Sequence, residues 1–195
     1  MAEKKPKSKL PFLKLGNRDN LDWYSSEVAI CAKLVSSCQK GDLDEARRLL
    51  LIGVPPCTDM EGNSPLDLAA TPEVAQLLIE AGADVNAIGA DGAQPIHAAS
   101  FRGNLEVVKL LVKNGADVNS KGPGDATPLQ FAASMSDAKV KGADYAGLVR
   151  FLIEKGANVN AKNEMDYSPL HFAKNKEVVE LLRKAGAKEM ANEKG

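Results

Sequence analysis

Residues 95–119 read PIHAASFRGNLEVVKLLVKNGADVN, and this stretch decides the fold. Pro95 suits the first position of a helix, where its missing N–H is no loss. The short apolar run after it ends at a turn, Arg102-Gly103-Asn104. A second helix then runs from Leu105 to Val112. Its Leu105, Val108, Leu111 and Val112 stand at i, i+3, i+6 and i+7, which makes one apolar face. Gly115 ends that helix, because Gly takes the left-handed C-terminal conformation without steric cost. Ala116-Asp117-Val118-Asn119 leads into an extended loop.

The same punctuation recurs along the chain. Prolines stand in Ser64-Pro65-Leu66, Gln94-Pro95-Ile96, Thr127-Pro128-Leu129 and Ser168-Pro169-Leu170. In three of these a Ser or Thr hydroxyl precedes the Pro, which is a helix-start signal. Glycines follow apolar helical stretches at Gly53, Gly82, Gly115, Gly156 and Gly186. The Gly-to-Pro distance is 13 residues three times and 12 from Gly53 to Pro65. The Pro-to-Gly distance varies: 17, 20, 28 and 17. One half of the unit therefore has fixed geometry, and the other accepts gaps and insertions after its first short helix. Two helices this short cannot bury an apolar face alone. Stacking on like neighbours solves that and gives a quasi-linear solenoid.

Several fragments carry a family resemblance. They are Pro95-Ile96-His97-Ala98-Ala99, the run from Gly103 to Leu111, and Gly115-Ala116-Asp117-Val118-Asn119. They recur as Gly82-Ala83-Asp84-Val85-Asn86, Gly156-Ala157-Asn158-Val159-Asn160 and Ser168-Pro169-Leu170-His171-Phe172-Ala173. The chain resembles an ankyrin-repeat protein from about Ala29 to Ala187. The resemblance implies an all-α solenoid of stacked helix-turn-helix units with extended, β-hairpin-like loops. It implies five repeats, at about 29–58, 59–88, 89–121, 122–162 and 163–190. Residues 39–46 resemble an N-terminal capping repeat. The second and fifth repeats are three residues short after the first helix, and the fourth carries an insertion from Ser136 to Ala146. Gln94 replaces the usual Thr, and Asp67 and Gln130 replace the usual His.

Around the repeat domain of residues 23–190, the sequence suggests a basic N-terminal arm at 1–22 and a frayed tail at 191–195. The arm holds Lys4, Lys5, Lys7, Lys9 and Lys14. The arm reads as flexible or loosely packed, but its more apolar stretch Leu10-Pro11-Phe12-Leu13-Lys14-Leu15 suits packing along the first repeats with Trp23 and Tyr24. A net charge of -1 gives no cation surplus for nucleic acid. No apolar run approaches the roughly 18–20 residues that span a bilayer, so membrane insertion is not expected. The three cysteines, Cys31, Cys38 and Cys57, form no C-x-x-C pair, and their odd number argues against a disulfide framework. They read as small core residues in a cytoplasmic protein.

Chemistry is sparse. The resemblance implies that His97 and His171 order the hairpin loops by hydrogen bonds. No Cys/His spacing suits zinc, and Gly122-Pro123-Gly124 lacks the Lys of a phosphate cradle. No catalytic, cofactor-binding or metal-binding residue is assigned, and the chain is not expected to be an enzyme.

The resemblance instead places partner contacts on the hairpin tips and the exposed side of the first helices. By register these are Met60, Glu61 and Asn63, then Asp91, Phe101 and Arg102, then Met135, and finally Glu164, Met165 and Tyr167. Met, aromatic residues and Arg are enriched at interface centres. The set suggests an apolar concave stripe edged by Glu61, Asp91, Arg102 and Glu164. The alternative is that Phe101 and Met135 fold back over helix ends. A second candidate surface is the insertion, through Lys139, Lys141, Asp144 and Tyr145. The expected function is binding a partner protein, as a stoichiometric inhibitor, adaptor or immunity-type partner, by a chain that is monomeric when free. The other reading is a secreted effector, with the N-terminal arm serving export or docking.

Overall fold

The computed structural model describes residues 21–57, 62 and 64–189, with only the backbone for 21–27. Most of the N-terminal arm, the tail, and the candidates Met60, Glu61 and Asn63 lie outside the described residues. Among the described residues the chain is all helix and turn, with no strand.

Helix pairs follow one another in sequence. Helices α1 (Leu21–Lys40) and α2 (Leu43–Leu51) form the first pair. Helix α3 (Pro72–Glu80) follows without a helical partner of its own. Then come α4 (Pro95–Phe101) with α5 (Leu105–Lys113), α6 (Pro128–Ser134) with α7 (Tyr145–Glu154), and α8 (Pro169–Phe172) with α9 (Lys176–Lys184). Helix α1 begins inside the stretch assigned to the N-terminal arm and includes Trp23 and Tyr24.

Each second helix starts on a side-chain cap. Asp42, Thr71, Asn104, Asp144 and Asn175 accept from the backbone N–H groups of Glu45, Val74, Val107, Gly147 and Glu177. Each cap contributes about 1 kcal/mol. Each of these helices buries part of its apolar face in the core. Leu78, Leu111, Leu148, Leu152 and Leu182 are all 0% exposed. Helix α5 buries Val107 with Val108 and Leu111, while Leu105 and Val112 sit at the core's edge.

One expected helix is missing. Pro65 to Leu68 forms turns, with Asp67 N donating to the Ser64 carbonyl at 3.0 Å. Three deleted residues leave no chain to wind a second turn before Thr71 caps α3. The Ala70 N–H turns back to the Cys38 carbonyl of α1 at 3.1 Å instead. The same shortening leaves α8 with only 4 residues.

The cysteine expectation needs correction. Cys31 and Cys57 form a disulfide across 26 residues, tying α1 to the segment that follows α2. Counting cysteines missed it, because the partners come together through tertiary packing. Cys38 does behave as a small core residue: it is free and fully buried, and burial pushes its thiol up to about 11.

The insertion also differs from a surface loop along its whole length. Tyr145 is 5% exposed and opens α7, and its hydroxyl donates to the Phe101 carbonyl at 2.9 Å. Asp144 caps α7, and its N–H donates to the Gly103 carbonyl at 3.2 Å. Tyr145 is thus buried and structural, while Asp144 caps α7 and stays exposed. Lys139 and Lys141 remain exposed.

Gly103 reports on that packing. It has φ +70, and an added Cβ would lie 2.7 Å from Ala143 Cβ and 2.8 Å from the Tyr145 ring. Gly115 also has positive φ, at +97, but has nothing within 4 Å of an added Cβ. Gly103→Ala is therefore expected to destabilise the fold more than Gly115→Ala, by roughly 1–3 kcal/mol of overpacking. Equal losses in urea unfolding would show that the insertion does not seat on this turn.

Candidate partner-binding site

The loops between units close into short hairpins by main-chain bonds. Gly89 N donates to the Ala93 carbonyl at 2.8 Å, Gly122 N to Ala126 at 2.9 Å and Asn163 N to Tyr167 at 3.2 Å. Short polar side chains tighten the tips. Asp91 Oδ1 accepts from Ala93 N at 2.9 Å, and Asn163 Oδ1 accepts from the N–H groups of Met165 and Tyr167. Glu164 N also donates to the Gly124 carbonyl at 3.0 Å, joining two successive tips. Lower down, Asn86, Asn119 and Asn160 donate from Nδ2 to the carbonyls of Gly115, Gly156 and Gly186 in the next unit.

The first helices hold these hairpins through one position. His97 Nδ1 accepts from Gln94 N at 3.0 Å, and its Nε2 meets the Ser120 carbonyl at 3.1 Å. This network assigns the proton to Nε2. Gln130 does the same work: Oε1 accepts from Thr127 N at 2.7 Å, and Nε2 donates to the carbonyls of Ala161 and Tyr167. Burial lowers the His97 pKa, so the ring stays neutral. His171 departs from the expectation. Its ring is exposed and stacks on Tyr167 at 3.8 Å. It belongs to the last unit, with no described hairpin beyond it to receive a bond.

The candidate residues divide into two kinds. Phe101 (47% exposed) and Met165 (62% exposed) present apolar surface to solvent. Glu164 and Asp91 are exposed carboxylates at hairpin tips. Tyr167 is half-buried, with Phe172 edge-on at 5.9 Å. Met135 is half-buried as the residue that ends α6. Arg102 is not a free edge residue: it is half-buried and its guanidinium donates to the Asp67 carbonyl. Removal from water lowers its pKa, and the charge of Asp67 partly offsets that.

Sequence reading missed the residue that organises the aromatic part. Phe131 of α6 stands at a steep angle to both Phe101, at 6.3 Å, and His97, at 5.7 Å. Phe172 holds the equivalent place beside Tyr167 and His171. Both follow the His-type position of their helix, a spacing from which they were legible. The result is two aromatic clusters on adjacent units, linked through Gln130 and the Tyr167 carbonyl.

Among the described residues no group of three or more His, Cys, Asp or Glu could hold a metal ion. An open groove lies between α3 and α5, lined by Glu73, Gln76, Glu106 and Lys109. None of the candidate residues lines it.

Short helix pairs, capped alike and bonded loop to loop, define a helical-repeat solenoid. The family model described as ankyrin repeats (3 copies) matches residues 72–145 and 96–193, and the chain belongs to the ankyrin-repeat family. Ankyrin repeats are generally protein–protein interaction modules and are typically non-catalytic. No curated protein matches the chain.

The rung position yields a test. His97→Gln is expected to keep the fold, as Gln130 does at the next unit. His97→Ala is expected to cost about 1–3 kcal/mol, because it orphans buried backbone groups. His97 also carries a pH signature. Its folded pKa is depressed below the ordinary 6.5, so its contribution is full above 6.5 and is lost as pH falls below it. That acid-side loss, read from thermal unfolding across pH, should disappear in His97→Gln.

Proposed function

We propose that the chain acts without catalysis, as a stoichiometric inhibitor, adaptor or immunity-type partner that occupies the surface of another protein through its hairpin tips and first helices. The observation that carries this reading is the exposed Phe101 and Met165, alongside half-buried Tyr167 and Met135 and the exposed carboxylates of Asp91 and Glu164. An aromatic and Met-rich patch on a rigid scaffold suits a hot-spot interface. The hairpins are fixed by main-chain bonds, so binding orders few groups. Met60, Glu61 and Asn63, outside the described residues, join the proposed set by sequence register alone.

Affinity capture from the source lysate, comparing the wild type with Phe101→Glu/Met165→Glu, tests the site. Both side chains are substantially exposed, so the double variant should fold, as circular dichroism would verify. A partner held by the wild type is expected to be lost, with at least about 2 kcal/mol removed per hot spot. A partner held equally by both proteins would move the site to Lys139 and Lys141 of the insertion or to the N-terminal arm.

A second reading, an exported effector acting on a host protein, is favoured by the Cys31–Cys57 disulfide. Such bonds persist in oxidising compartments and are rare in a reducing cytosol. No helix among the described residues is long and apolar enough to cross a membrane. Protein isolated from its source, denatured without reductant and alkylated, is expected to take one label, on Cys38. After reduction it should take three. Three labels without reduction would withdraw this support and leave the cytoplasmic reading.

A further inference from the structure

Asp67, His97 and Gln130 stand at the same place in successive units, two residues after Pro65, Pro95 and Pro128. Each accepts the N–H of the residue before that Pro: Ser64 at 2.9 Å, Gln94 at 3.0 Å and Thr127 at 2.7 Å. His97 and Gln130 then use a second atom to donate to a carbonyl of the next loop. A carboxylate has no proton to donate. Asp67 is 9% exposed, its Oδ2 serves Ser64 N, and its Oδ1 is buried without a hydrogen-bond partner. The next hairpin passes close by: a Cβ placed on Gly89 would lie 3.5 Å from Asp67 Oδ2. A proton on the carboxyl would give Asp67 a donor beside its acceptor, as the other two side chains have.

We propose that Asp67 is a proton-operated latch at the joint between its own unit and the 87–93 loop. Protonated, it donates to that loop as His97 and Gln130 donate to theirs. Ionised, it leaves the joint one bond short, and the hairpin carrying Asp91 loosens. The inference does not depend on the proposed partner.

The surroundings make Asp67 easier to protonate than a free carboxyl. Burial is the largest influence and raises the carboxyl from 3.8 to about 6. Asp91, on the hairpin, also raises it by repulsion. The Ser64 N–H and the Arg102 cation at the end of α4 pull the other way. The Arg102 guanidinium, however, donates to the Asp67 backbone carbonyl. Since the folded value lies above the ordinary 3.8, the latch stabilises fully below 3.8 and is lost as pH rises through about 6. This is opposite in sign to the His97 contribution, so the two must be separated by variants.

The test uses the full chain and backbone-amide NMR from pH 4 to 8. The amides of Ser64, Gly89 and Ala93 are expected to titrate together near pH 6 in the wild type. Asp67→Asn, isosteric and always able to donate, should abolish that transition. Asp91→Asn should keep it and move it to lower pH. Hydrogen exchange, corrected for intrinsic rates, should show residues 87–93 about tenfold better protected in Asp67→Asn than in the wild type at pH 7.5, and equally protected at pH 5. The proposal is overturned if the amides titrate near pH 4, or if Asp67→Asn keeps both the transition and the wild-type protection at pH 7.5.

Discussion

The fold depends on each short helix finding its neighbour. Helices α4 and α6 have 7 residues and α8 has 4, well below the length at which an isolated helix holds together in water. They persist because each is opened by Pro and packed against its neighbours, α4 on α6 and α6 on α8, and because His97 of α4 and Gln130 of α6 bond to the next loop. Breaking a unit exposes faces on both sides of it. Stability is therefore roughly a sum of unit and interface contributions. It follows that the polar rungs matter beyond their individual energies, because they fix how one unit sits on the next.

That arrangement separates core from surface cleanly. The second helices bury Leu78, Leu111, Leu152 and Leu182, and the loops use backbone and asparagine bonds to hold their shape. Neither task requires the side chains of Phe101, Glu164 or Met165. Their exposure costs the core nothing and gives the hairpin side of the solenoid its chemical character. The insertion supports the same side from within: Tyr145 donates to the carbonyl of Phe101, the residue whose ring faces outward. A segment that looked like an independent surface thus helps hold the first one in place.

The fold was legible because its signals are local. Pro and Gly spacing marked the units, and the 13-residue separations showed that the loops keep one geometry. The departures in length were legible too, but their outcome was not. The same three-residue shortening goes with turns at Pro65 to Leu68 and with a single helical turn at Pro169–Phe172. The disulfide was hidden because tertiary packing brings its partners together. So was the fate of Arg102, whose charge suggested an exposed edge while its guanidinium reaches back to the Asp67 carbonyl. Met165 stands exposed in its hairpin, the position that register alone gives it.

One position shows how the scaffold tolerates change. His97, Gln130, Asp67 and His171 fill the same place with different chemistry. The requirement common to the three buried ones is an acceptor for the N–H before the Pro. The donor toward the next loop is separable, and its loss grades the strength of the joint. The joint at Asp67 lies where the first helix is also missing, so two ordinary supports are lacking in one unit. The disulfide closes its loop just before that unit, from Cys57 back to Cys31. On chain-entropy grounds such a loop contributes roughly 3–4 kcal/mol. The covalent tie and the joint at Asp67 are thus adjacent, and the bond adds to the packing of Leu34, Cys38 and Leu49 that joins the first pair to the core.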